Sequence, residues 1–308
     1  MSGRSGMLRH QRMIGVACAL AATCLGIAYL TAAGAPASRS VVNGVAFLLG
    51  VVALVGIGGA MPQIARYSGP VLLVMGLSLL VTALLGAAAD GASRWIMIGP
   101  LSVQVSLVLV PFMAVTFARF STLAGCLGII VAALALALQP DRAMAGVLAL
   151  GMTVLAVRRP SRLAASALIA AIIAFLVSMM RPDMLPAIPF VDQILFTAFD
   201  VHILAGAAVW LGASLLLVPP ILGWRGNPGL GHAYLVFGAV WLGCIAAAAL
   251  GNYPTPVVGY GGSAILGYLL TFSLLPPKAG SANERAAAAD EEGGAGSAEL
   301  HRRTFAPA

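Results

Sequence analysis

Ten apolar stretches follow one another along this chain with only short polar breaks: roughly 13–34, 41–61, 70–88, 101–118, 121–138, 142–157, 163–180, 194–222, 231–250 and 261–277. At ~1.5 Å of rise per residue, most of them can cross a hydrocarbon layer of ~30 Å. The weakest is 142–157, which reads as tilted, short or re-entrant. Backbone groups in lipid must be paired within their own segment, so the spacing predicts helices rather than strands. The chain is 60% hydrophobic and 9% charged, where a soluble domain carries about a quarter charged residues. No soluble core hides that much apolar surface, and the expected solvent is a lipid bilayer.

Arginine placement orients the segments. With the N-terminus in the cytoplasm, the inner segments hold Arg4, Arg9, Arg12, Arg66, Arg119, Arg158, Arg159, Arg162 and Arg225, plus four bases in the tail. The outer segments hold only Arg39, Arg94, Arg142 and Arg181. Thirteen bases inside against four outside satisfies the positive-inside rule. Ten crossings then leave both termini cytoplasmic. The expected organisation is an N-terminal cytoplasmic segment 1–12, a ten-helix domain 13–277 and a tail 278–308. The tail is mostly Ala, Gly, Glu and Ser and is expected to be disordered. Ala35-Pro36-Ala37 resembles a signal cleavage site, but the run before it is longer than the 7–15 apolar residues typical of a signal peptide. An uncleaved first helix is expected instead. The net charge of +7 does not point to nucleic acid, because the bases come one to three at a time between apolar segments. Cys18, Cys24, Cys126 and Cys244 form no CxxC pair and read as small core residues.

Acidic residues are the rarer signal. Of ten, five fall in the tail; the others are Asp90, Asp141, Asp183, Asp192 and Asp200. In the threading above, all five lie on or near the outer face. Asp200 is expected a turn or two into the eighth helix. Ionisable groups beside a bilayer mark functional sites by default. Four outer segments accompany them. Asp90 to Ile96 carries Arg94 and Trp95, which would serve equally as interfacial anchors. Gln139-Pro140-Asp141 is a loop end whose Asp could simply cap the next helix. The Pro-rich run 182–192 leads to Asp192. Pro254 to Ser263 places three glycines around Tyr260 and gives a kinked entry to the last helix. Anionic head groups could be met here by Arg94, Arg142 or Arg181, and Asp192 and Asp200 could bind a cation or move a proton. His202 and His232 read as structural.

These segments resemble, in order, the motifs of the SEDS family (FtsW, RodA and SpoVE). Gly91-Ala92-Ser93-Arg94-Trp95-Ile96 is similar to N-G-A-x-R-W-I, and Leu101-Ser102-Val103-Gln104-Val105-Ser106 to the F-Q-P-S-E segment. Gln139-Pro140-Asp141 resembles Q-P-D-L-G-T, and Leu185-Pro186 with Val191-Asp192 resembles L-P-E-A-H-T-D-F-I-F. Asp200 stands where the first Glu of E-E-x-G falls. The run through Tyr260-Gly261-Gly262-Ser263 is similar to P-L-P-F-I-S-Y-G-G-S in unbroken register. The resemblance implies an all-α polytopic fold and a glycosyltransferase that polymerises lipid II into glycan strands at the outer face of the bacterial cytoplasmic membrane. It would work beside a class B penicillin-binding protein in division or cell-shape maintenance. It implies Asp192 as the catalytic acid group. Arg94, Trp95, Asp141, Tyr260, Gly261, Gly262 and Ser263 become candidate substrate contacts, with Asp200 and Gln139 supporting. A divalent cation, Mg or Mn, is a possible cofactor; no dedicated metal cage is visible. The chain departs from the pattern at Val105, Leu107 and Val110, where the family has Pro, Glu and Lys. It departs again at Phe190-Val191 for His-Thr and at Ala143-Met144 for Gly-Thr. Two other classes stay open: a catalytically impaired scaffold of a cell-wall complex, and a lipid or solute transporter.

Overall fold

A chain this apolar closes its backbone hydrogen bonds locally, and it does so almost entirely as helices. The computed structural model describes residues 3–89, 92–99, 101–181, 186–226 and 229–275. In order these form α1 (Gly3–Ala32), α2 (Ala37–Gly59), α3 (Met61–Arg66), α4 (Ser68–Leu85), β1 (Ala87–Ala89), β2 (Ala92–Ile98) and β3 (Leu101–Gln104). There follow α5 (Val105–Arg119), α6 (Leu123–Leu138), α7 (Arg142–Arg158), α8 (Arg162–Met179), α9 (Ile194–Val201) and α10 (Ile203–Leu215). The chain continues as α11 (Val218–Gly226), α12 (Gly231–Leu250) and α13 (Gly262–Ser273). Asp90 and Asp183 and the tail 278–308 lie outside the described residues.

Among the described residues, six helical runs are long and apolar enough to cross a membrane, among them Ala37–Gly59, Ile203–Arg225 and Gly231–Leu250. The shorter apolar helices α5, α6 and α13 and the 17-residue α7 complete the ten segments expected from sequence. The stretch 142–157 is helical throughout. Apolar side chains remain on the outside, for example Leu48, Val52 and Val55 on α2 and Ile169, Ile173 and Leu176 on α8. That is the pattern of a protein whose solvent is hydrocarbon.

Between helices the packing relies on small residues and one aromatic cluster. Gly76 on α4 and Gly128 on α6 face each other backbone to backbone: a Cβ on Gly128 would stand 2.5 Å from the Leu72 carbonyl group. Such seams let helices approach closely where lipid supplies no hydrophobic drive. Gly128→Ala is therefore expected to destabilise by ~1–3 kcal/mol through overpacking, measured as a lowered melting temperature in detergent. Gly44→Ala, which meets nothing within 4 Å, is the neutral control. Deeper in, Phe237 and Trp241 of α12 pack on Tyr268 and Phe272 of α13, with Trp241 and Tyr268 edge-on at 5.1 Å. The Tyr268 hydroxyl donates to the Leu216 carbonyl (3.0 Å), tying α13 to the junction between α10 and α11. Cys126 and Cys244 are buried as expected, whereas Cys24 is exposed.

Two segments differ from expectation. Residues 101–104 begin no helix. They form β3, antiparallel to β2, with Trp95 opposite Gln104 and Met97 opposite Ser102. Gly99 makes the turn at φ +58, where glycine costs least. The eighth apolar stretch is not one helix. It breaks at His202, which is extended (φ −169, ψ 148) and caps α10 with its Nδ1 accepting from the Leu204 amide. α9 then runs back alongside α10. The Trp210 indole donates to the Leu195 carbonyl (2.7 Å), and a Cβ on Gly206 would meet the Phe199 ring. Leu195 pairing with Trp210 and Phe199 with Gly206 is the register of an antiparallel hairpin with its tip at His202.

Candidate functional site

The hairpin reverses the expected depth of the two acids. Asp200 sits near the tip and is exposed. Asp192, before the first residue of α9, lies beyond the level of Leu195 and Trp210, which is itself seven residues and ~10 Å along α10 from its start. The carboxylate nearer the tip is thus Asp200, and Asp192 is the one carried into the bundle.

Asp192 is held by two knitted loops. Its backbone bridges Pro254, the Thr255 amide donates to the Val191 carbonyl (3.0 Å), and the Tyr260 amide to the Phe190 carbonyl (2.8 Å). Glycine makes the close approach possible, since a Cβ on Gly259 would stand 3.2 Å from the Val191 oxygen. Asn43, alone and buried in the apolar α2, grips the same loop: its side chain donates to the Gly259 carbonyl (3.0 Å) and accepts from the Gly261 amide (3.1 Å). Gly261 has φ +150, a conformation essentially restricted to glycine. Phe190, Gln193 and Val257 are left-handed, which for a β-branched valine is a strained state of the kind that collects at functional sites. A Cβ on Gly262, which opens α13, would meet Ala46 at 3.0 Å. α13 therefore starts about nine residues, or ~14 Å, along α2 from its outer end.

Asp192 is 8% exposed, and one carboxylate oxygen accepts the Ile188 amide at 2.9 Å. Burial pushes its pKa above the usual carboxylate range, and the Ile188 amide opposes this in part. The residues around it line two cavities. The first, about 560 Å³, has Ile188, Val191, Thr255 and Tyr260 on one side and Trp95, Gln104 and Ser263 on the other. The second, about 660 Å³, is walled by α7, α8 and α12 and includes Arg142, Gln193, Asn252 and Tyr253. Asp192 lines neither; its chain neighbour Val191 and its bridge partner Pro254 line the first, and Gln193 and Tyr253 line the second.

Of the residues singled out from sequence, Trp95, Tyr260, Gly261, Gly262 and Ser263 line the first cavity together. Successive residues of β2 point to opposite faces, so Arg94 does not join Trp95. It is 2% exposed, donates to the Pro140 carbonyl and lies over the Tyr253 ring at 5.9 Å. Arg94 is thus a buried wall residue rather than an exposed loop cation. Asp141 is fully buried at 0%. It caps α7 through the Met144 amide (3.2 Å) and accepts from Ser106 (2.7 Å) and the Gln104 amide group (3.4 Å). It stands behind the cavity wall instead of in it. Gln139 fastens the end of α6 to the Leu79 carbonyl of α4 (3.1 Å). Arg142 donates to the Ser178 and Arg181 carbonyls at the end of α8, and Arg181 to the Leu138 carbonyl at the end of α6. Both act as helix C-terminal clamps. Leu107 and Val110 are buried core residues.

Sequence reasoning missed Arg39 and Asn43. Arg39, at the start of α2, donates to the Pro189 carbonyl (2.9 Å) and lies over the rings of Phe190 (4.8 Å) and Tyr260 (5.0 Å). Through the Tyr260 ring it stands at the rim of the first cavity. An outer arginine against the positive-inside trend and a lone Asn in an apolar run were the available signals. Among the described residues no group of three or more His, Cys, Asp and Glu comes together to hold a metal.

No protein-family model matches the sequence, and no curated protein sequence matches it significantly. Solved structures do. The chain is similar to the rod shape determining protein RodA of Thermus thermophilus, at 20% identity and a TM-score of 0.62, covering 85% of this chain and 94% of that one. An aspartate-to-alanine mutant of that protein matches at 19% identity with the same TM-score and coverage. A chain from a peptidoglycan synthase complex that coordinates polymerization and crosslinking matches at 22% identity and a TM-score of 0.60, covering 85% of this chain and 95% of that one. The likeness is one of fold: this chain is a polytopic, all-α membrane protein with the SEDS-like architecture of RodA.

Proposed function

We propose that this protein is a peptidoglycan glycosyltransferase that polymerises lipid II at the outer face of the bacterial cytoplasmic membrane, with both termini inside. The observation that carries the reading is the position of Asp192. It is a buried carboxylate, raised in pKa, in a loop whose neighbouring residues line one cavity through Val191 and another through Gln193. Glycosyl transfer between two lipid-linked sugars is helped by a base within reach of the acceptor hydroxyl. In the step proposed, the acceptor hydroxyl oxygen attacks the anomeric carbon of the donor while its proton passes to the Asp192 carboxylate. The bond from that carbon to the pyrophosphate breaks, and the lipid pyrophosphate leaves with the electron pair. Arg39, over the Tyr260 rim, supplies positive charge toward that leaving group. Were a divalent cation to take part, Asp192 and the substrate phosphates would be its ligands, as Mg is commonly held by one or two carboxylates plus phosphates.

The test is glycan polymerisation by the purified protein from lipid II, alone and with a class B penicillin-binding protein. The RodA-like fold and the likeness to a subunit of a synthase complex support such a partner. Arg39→Ala is expected to raise KM for lipid II by about tenfold, the scale of one lost charge-assisted contact. An unchanged KM would remove Arg39 from the site. A second reading, a non-catalytic scaffold in the same complex, is favoured by Leu107 and Val110, which fill with apolar side chains the positions where the family carries Glu and Lys. Absence of turnover with the cognate partner present would select it.

A further inference from the structure

A polar amide in a lipid-spanning helix is costly unless both of its ends are used. Asn43 lies about two turns into α2. It is fully buried and does not line the first cavity, although Val42 and Ala46 do. Its amide nitrogen donates to the Gly259 carbonyl (3.0 Å), and its oxygen accepts the Gly261 amide (3.1 Å). The loop it grips is held out of helix and strand by Val257 (φ +67) and Gly261 (φ +150). The backbone groups of Gly259 and Gly261 therefore have no regular ladder to join, and one side chain serves both.

The grip reaches past that loop. The Thr255 amide donates to the Val191 carbonyl, the Tyr260 amide donates to the Phe190 carbonyl, and Asp192 bridges Pro254. Gly259 itself lies against the Val191 oxygen. The backbone on both sides of Asp192 is thus laid on residues 254–260, and those are tied to α2 by Asn43. The hydrogen bond of the Asp192 carboxylate is local, from the Ile188 amide four residues back. The depth of the carboxylate in the bundle is therefore set through its backbone. Two guanidiniums stand at these loops, Arg39 on Pro189 and Phe190 and Arg94 over the Tyr253 ring. Neither contacts Asn43 in the hydrogen bonds described, so the amide acts on the loop by itself.

We infer that Asn43 is a positioning residue for Asp192: by holding Gly259 and Gly261 it fixes the loop 254–261, and through that loop the depth at which the carboxylate is presented. Its effect on turnover rests on the glycosyltransferase reading; its hold on Asp192 does not. A reacting group misplaced by ~1 Å can lose about 10²-fold in rate, even when the change that moves it lies away from the chemistry.

The test uses the full-length protein in nanodiscs and has two readouts. One is the infrared C=O stretch of the protonated Asp192 carboxyl, identified as the band missing from Asp192→Asn and followed against pH. The other is kcat and KM for lipid II. Asn43→Leu keeps the volume and removes both hydrogen bonds. The loosened loop admits water to the carboxyl, so the midpoint of the Asp192 band should fall by about one pH unit, part of what burial can impose. The kcat should drop by about tenfold or more while KM stays within about twofold, the pattern of a lost transition-state arrangement rather than lost binding. Asn43→Asp is the rescue. A neutral carboxyl can donate to the Gly259 carbonyl and accept the Gly261 amide. The position is more deeply buried than Asp192, which keeps the new carboxyl neutral through the Asp192 transition. The wild-type midpoint and kcat should return. Should Asn43→Leu not fold, Asn43→Asp still decides: above the pH at which the band of its new carboxyl disappears, its kcat should fall where that of the wild type does not. An Asn43→Leu protein with the wild-type midpoint and kcat overturns the inference, as does an Asn43→Asp protein whose kcat ignores ionisation of the new carboxyl. Absence of turnover in the wild type, with the infrared shift and its rescue intact, overturns the glycosyltransferase reading and leaves the hold of Asn43 on Asp192 standing.

Discussion

Asp192→Asn is expected to lower glycan polymerisation by about 10²-fold or more, the scale of a lost general base, while protein level and melting temperature hold. Asn keeps the shape and can still accept the Ile188 amide through its side-chain oxygen. The stability side has a definite sign. Burial raises the Asp192 pKa in the folded protein, so its contribution to stability is full below the unfolded carboxyl pKa. That contribution is lost as pH rises through the folded value. At neutral pH the variant should therefore melt at or above the wild-type temperature, and the difference should shrink toward acid pH. Activity of the wild type should rise with pH through the same raised pKa, because only the carboxylate accepts the proton. Full turnover by Asp192→Asn would end the assignment. A large drop in its melting temperature would instead mark Asp192 as a structural residue of the two knitted loops.

The second large effect is expected at Arg94, and on stability first. An arginine exposed in a loop would contribute little when removed, but Arg94 is buried, donates to the Pro140 carbonyl and covers the Tyr253 ring. Arg94→Ala opens a void between β2 and the break before α7 and takes a charged donor from a buried carbonyl. A loss of about 3 kcal/mol follows from the hydrogen bond to a charged group and the packing together. At a few degrees per kcal/mol for a chain of this size, the melting temperature should fall by roughly 5–10 °C. Arg94→Lys should recover only part of it, since an ammonium cannot span the two contacts of a planar guanidinium. If Arg94→Ala melts like the wild type and loses lipid II binding alone, the side chain is a substrate contact and the wall role is wrong.

The lipid-spanning body was legible in the sequence because hydrocarbon imposes one rule on every residue: apolar outside, backbone paired within the segment. That rule acts over some twenty neighbouring residues, and from it came the ten segments, 142–157 included. The positions of Trp95, Tyr260, Gly261, Gly262 and Ser263 were legible as motifs, though nothing local says that β2, the loop 251–261 and α13 meet around one cavity. What tertiary structure alone decided was direction and depth. Strand alternation sent Trp95 into the cavity and Arg94 into the wall. A single extended residue, His202, folded α9 back on α10 and exchanged the depths of Asp192 and Asp200. Asp141 was drawn behind the wall by Ser106 and Gln104, and Arg39 was brought onto Tyr260 from more than two hundred residues away in the chain. Composition and periodicity determine which stretches leave water, because transfer free energy is a sum over the side chains of one segment. Which polar groups then face one another depends on loop strain and on contacts between distant segments, and those energies exist only once the chain has closed on itself.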